Sequence, residues 1–221
     1  MMNIVTGILS IVASLCICGG MVGLMETFEY PRIIRKDPIY ILEKLNQKGK
    51  IVPSLFYLFG LGGFFLVFTS IALERLEYKR GEELFSQFAM VSGVVYGVLL
   101  FSGILRYFKL FPQLAADYEQ GKIQTEHARS LYNVLNTYIG ETVCEHVAFL
   151  FLSIMILCNS ISFLITHILN TTLSIGGIII AIGLMIGNTE FLGFRKVFVI
   201  NRIFSSLSAV WILLVGVCLL L

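Results

Sequence analysis

Six runs of roughly twenty apolar residues limit what this chain can fold into, because that is the length an α-helix needs to cross a bilayer core. They fall at 4–25, 52–73, 85–105, 143–168, 169–187 and 203–221. In lipid every backbone N–H and C=O must find its partner within the chain, so such runs read as helices. The expected fold is all-α: a polytopic membrane helix bundle of about six transmembrane helices, forming a single integral membrane domain. The first run has no basic leader and no small-residue cleavage pattern, so it reads as an uncleaved anchor. His167, Asn170, Thr171 and Thr172 mark a polar turn between the fourth and fifth runs. A helical hairpin is the reading there, with one long broken helix as the alternative.

The rest of the composition supports a membrane protein. Only 14% of the residues are charged, against about 25% in soluble domains, so a water-facing surface is missing. The formal net charge is +2. With no basic run interleaved with aromatics, nucleic acid is not an expected partner. The lipid bilayer is. Cys16, Cys18, Cys144, Cys158 and Cys218 all lie within apolar runs, without the loop spacings of disulfides or zinc sites, and read as small hydrophobes.

Orientation follows from where Lys and Arg fall. Six occupy the segment after the first run, four the segment after the third and three the segment around the start of the last. Against these stand Arg75, Lys79 and Arg80, while both tails have none. The basic segments are therefore expected in the cytoplasm, in a cell (plasma) inner membrane, with both termini extracytoplasmic. Two of these segments carry helix signals. Asp37-Pro38 reads as an N-cap followed by Pro at the first helical position. Ile41, Leu42 and Leu45 then form one apolar side and Gly49 the stop, giving a short interfacial helix after span one. A second helix starts near Thr125 and is expected to run into span four as a cytoplasmic extension.

Glycines mark close-packing faces. Gly93 and Gly97 lie four apart, as do Gly183 and Gly187, and small residues at this spacing let helix backbones approach. Packing within the bundle is the first reading, and a homodimer or larger membrane complex the second. No Asp, Glu, Lys or Arg falls near the centre of a run, which argues against charge-coupled transport. Asn159 is the one deep polar side chain. At 100° per residue it shares a face with Glu141, and Ala148, Met155, Ser162 and Thr166 lie on the same side. This stripe is expected to face the bundle interior.

The candidate polar or ligand site lies at the cytoplasmic boundary. Glu141 and Glu145 are one turn apart with His146 adjacent, and Arg106 and Glu190 end their own runs at the same level. Carboxylates with imidazole can hold a metal or move protons, and an arginine can hold an anionic head group. Interfacial ion pairing is the plainer reading. No zinc-protease, nucleophile-elbow or phosphate-loop motif is present, so no catalytic residue is assigned, and metal and cofactor stay open. His146 and His167 lie about 31 Å apart on one helix at 1.5 Å per residue, too far to share a haem iron.

With the runs in place, the order of parts resembles a family of small bacterial six-span membrane proteins known as domain of unknown function 4386. The likeness rests on Asp37-Pro38-Ile39-Tyr40, Leu58-Phe59-Gly60-Leu61-Gly62-Gly63, Ser174-Ile175-Gly176-Gly177 and Ala209-Val210-Trp211. The charged segment from Arg106 to Tyr138 departs from it. The resemblance implies the fold and assigns no residue a role. The functional expectation is a non-enzymatic structural, regulatory or accessory component. A transporter or binding protein for a neutral or lipid-like molecule is second, and a membrane-embedded enzyme or metal site using Glu141, Glu145 and His146 third.

Overall fold

The computed structural model describes residues 1–221 except the side chain of Arg195. The helices are α1 (Met2–Phe28), α2 (Pro38–Lys48), α3 (Ile51–Tyr78), α4 (Leu84–Leu105), α5 (Phe111–Glu119), α6 (Thr125–Leu135), α7 (Ala148–Thr166), α8 (Thr171–Asn188) and α9 (Phe198–Leu220), with no strand among the described residues. Six helical stretches are long and apolar enough to cross a membrane. The fold is an all-α polytopic membrane bundle.

Local signals act where the sequence places them. Asp37 caps α2 by accepting a hydrogen bond from the Ile39 N–H at 2.8 Å, and the helix stops at Gly49, whose φ is +56°. His167, at φ +51°, ends α7, and Asn170 caps α8 through the Leu173 N–H. The α7–α8 pair is therefore the hairpin and not a broken helix. The apolar side of α2 is buried to the last atom at Ile41 and Leu42. It packs against α5 and α6, so the protein itself covers a face that the sequence assigns to the membrane interface.

Two helices are longer than their apolar runs, because hydropathy measures only the stretch that fits in lipid. α4 continues without a break through a π-helical turn at Arg106–Leu110 into α5. The charged stretch after the third run thus begins as helix. Likewise α6 passes through a π segment at Asn136–Val147 into α7, which gives the expected extension of span four.

The six long helices form a ring. Each packs on two neighbours in the order α1, α3, α4, α7, α8, α9 and back to α1. Glycine permits the closest of these approaches. The α3–α4 contact places Gly63 and Gly97 backbone to backbone, and Gly7 and Gly216 do the same between α1 and α9. Gly93 packs on Ser70 of α3, Gly183 on Phe204 and Gly187 on Asn201 of α9. All four glycines singled out in the sequence are buried in contacts within this chain.

One end of the ring is filled and the other is not. Towards the termini, Trp211 donates to the Leu173 carbonyl at 3.0 Å and stacks near Phe163, while Ser14 donates to the Ala209 carbonyl at 2.7 Å. At the basic end Phe28, Phe56, Tyr107, Phe111 and Tyr132 form an aromatic cluster, with Phe56 stacked on Tyr107 at 4.1 Å. The Tyr107 and Tyr132 hydroxyls share a 2.7 Å hydrogen bond, which ties the π turn to α6. This cluster and α2 hold the basic end together around an open space.

Candidate functional site

The open space is a cavity of about 110 Å³ inside the ring, lined by α1, α3, α4, α7 and α9 and by the segment after α1. Its deep wall is apolar, from Ile17, Phe59, Leu100, Leu152, Ala209 and Ile212. Its outer wall is polar: Arg35, Arg106, Glu145, Glu190, Asn201 and Arg202. A site needs only about 10–15 Å³ of such space per water molecule, so this one holds several waters or a short length of acyl chain.

Each polar group is set by its element. Glu190 follows α8 and is held by Arg35 at 2.6 Å and by the Asn201 amide, which donates to it at 3.1 Å. Arg35 also lies over the Phe198 ring at 3.8 Å. Arg202 is exposed, with its guanidinium 5.5 Å from the same ring. Arg106 opens the first π turn and is buried, with 6% of its surface exposed. It donates from Nη1 to the Gly103 carbonyl at 2.6 Å and sits 5.0 Å from the Tyr107 ring, but its Nε has no partner. Its Nη2 lies against Gly140, where a Cβ would stand 2.6 Å away. Glu145 lines the same cavity from the second π segment. No described residue lies within ion-pair distance of Arg106 or Glu145.

The sequence-derived cluster therefore separates. Arg106, Glu145 and Glu190 meet at the cavity. Glu141 is exposed and turned away from it. His146 faces α8 instead: its Nδ1 lies 3.3 Å from the Asn188 side-chain oxygen, and Asn188 donates to the His146 carbonyl at 3.0 Å. Among the described residues no three His, Cys, Asp or Glu side chains approach closely enough to share a metal ion. Asn159 is buried with Ala148, Met155, Ser162 and Thr166, as the stripe predicts, but the cavity wall on α7 ends at Leu152. Glu141 leaves the stripe because a π turn takes more residues than an α turn. Counting at 100° per residue therefore loses register between residues 136 and 147.

Sequence reasoning missed Arg35, Asn201, Arg202 and Tyr30, which reach the cavity from segments that only the folded chain brings inward. It also missed Glu77, in the last turn of α3 at the filled end, whose carboxylate is buried with no hydrogen-bond partner.

The sequence from residue 5 to 221 matches the family model described as a domain of unknown function (DUF4386). The chain belongs to the DUF4386 family. The match takes in all six long helices of this DUF4386 protein, the cavity walls included. No curated protein matches it, and no solved structure does.

Just outside the cavity, Glu29 bonds Lys36 at 2.6 Å and also bonds Lys44, which joins the end of α1 to α2. Hydrogen bonds from these two lysines hold its carboxyl well below the usual range, at about 2. A carboxyl with a lowered folded pKa adds stability above its unfolded value of about 4.3, and that stability is lost as pH falls towards 2. Glu29→Gln in the DUF4386 protein should therefore flatten the fall in melting temperature between pH 4.5 and 2.5. A variant curve parallel to that of the wild type would show that these bonds do not form in solution.

Proposed function

We propose that this protein is a non-enzymatic, multi-pass component of a bacterial inner membrane that binds an amphipathic, lipid-like molecule inside its helix ring. The observation that carries this reading is the cavity, with its apolar depth and charged mouth on one continuous wall. An uncharged solute would leave Arg106 and Glu145, which have no ion pair among the described residues, uncompensated, and a small ion would leave the apolar depth unfilled. A molecule with a polar head and an alkyl tail satisfies both. The separation of Glu141, Glu145 and His146 counts against the acid–base or metal site that those three residues suggest in the sequence.

Native mass spectrometry of protein extracted in mild detergent tests this reading. It should show a retained adduct in the mass range of a lipid, released when the mouth or depth of the cavity is altered. A bare polypeptide mass under conditions that preserve the fold would contradict it.

The basic end is proposed to face the cytoplasm, because thirteen of the sixteen Lys and Arg residues sit there. Alkaline phosphatase fused after Leu221 should then be active in cells. An inactive fusion that is expressed at normal levels would reverse the orientation.

A further inference from the structure

Resting on the cavity as a lipid-binding site, we infer that the head of the bound molecule is zwitterionic, with its anionic group, a phosphate or carboxylate, on Arg106 and its amine on Glu145. The charges at the mouth divide into those already matched and those not. Arg35 and Glu190 satisfy each other at 2.6 Å, with Asn201 supplying a further donor. Arg202 is unpaired as well but stands at the exposed rim; on the wall inside it remain Arg106 and Glu145, one of each sign, both without an opposite charge within 4.0 Å among the described residues.

The two are not in ion-pair contact with each other, so each is open to a charged group of the ligand. Arg106 is the more constrained. A buried guanidinium with an unpartnered Nε is costly to keep, and a planar fork of donors matches a phosphate or carboxylate. Glu145 is only half buried and has no donor of its own in the described structure, which suits an ammonium approaching from the mouth. The backbone supports the same site. Arg106 begins one π segment and Glu145 lies in the other, and such segments are frequent at functional sites. Gly140 leaves the space in which Nη2 lies.

The shared chemistry is a phosphate or carboxylate joined to a primary amine, and it could come from a lipid head or from a free soluble zwitterion. Delipidated protein in detergent is titrated with phosphatidylethanolamine, with phosphatidylglycerol and with phosphoethanolamine alone, and binding is read by native mass spectrometry. The expected result is phosphatidylethanolamine about tenfold tighter than phosphatidylglycerol, with phosphoethanolamine alone much weaker. Arg106→Gln should weaken both lipids. Glu145→Gln should remove the preference while retaining binding, and it tests the proposal even if the arginine variant fails to fold. Equal binding of the two lipids by the wild type would overturn the zwitterionic head and leave the lipid site standing. Phosphoethanolamine binding as tightly as the lipid would overturn the tail and leave the head assignment. No binding of any of the three would overturn the site itself.

Discussion

Gly97→Leu is expected to cost the bundle about 3 kcal/mol, at the upper end of what overpacking does, and to lower its melting temperature in detergent by about 6–12 °C. A Cβ at Gly97 would stand 2.5 Å from the Gly63 carbonyl oxygen, and one at Gly63 would stand 2.7 Å from the Gly97 carbonyl oxygen. Both obstacles are backbone, so no side-chain rotation relieves them, and α3 must move off α4. Between helices in lipid there is no hydrophobic force to offset such a gap, and packing itself holds the ring. Gly176→Leu is the control, because nothing lies within 4 Å of a Cβ built there. Equal melting temperatures for the two variants would refute the close α3–α4 contact.

The second large effect is on binding. Ala209 lines the depth of the cavity, and its backbone carbonyl already accepts from Ser14. Ala209→Phe keeps that bond and puts a ring into the space that the ligand's tail would occupy. Displacing three or four methylenes at about 0.8 kcal/mol each removes about 3 kcal/mol, roughly a hundredfold in Kd. The stability of the delipidated protein should change little, since the ring takes apolar volume that the tail would otherwise fill. Retention of the lipid adduct at wild-type level would place the molecule elsewhere on the protein.

The sequence made the bundle legible because lipid forces each span to declare itself as an apolar run, and because caps such as Asp37-Pro38 and Asn170 are local. The two π segments were not legible. Gly140 weakens the helix within residues 136–147, but no residue there specifies a π turn in place of an α turn. That is why an α-helical count puts Glu141 on the interior stripe with Asn159, with Glu145 offset by about 40°, whereas in the structure Glu141 is exposed and Glu145 lines the cavity. Arg106 and Glu190 were found because a charge at the end of an apolar run is conspicuous. Arg35, Asn201 and Arg202 were not, since their arrival at one cavity depends on the ring closing and on the segment after α1 folding back over it. The same holds for α2, whose amphipathic side looks alike whether lipid or α5 and α6 cover it.

A cryo-electron microscopy map of the protein in lipid nanodiscs bears on all of this at once. The expected map has elongated density running from between Arg106 and Glu145 down to Leu152 and Ile212, with the six long helices in the ring order given above. A cavity closed by side-chain packing, or one holding only isolated water-sized peaks, would contradict a protein built to hold an amphipathic molecule within its helices.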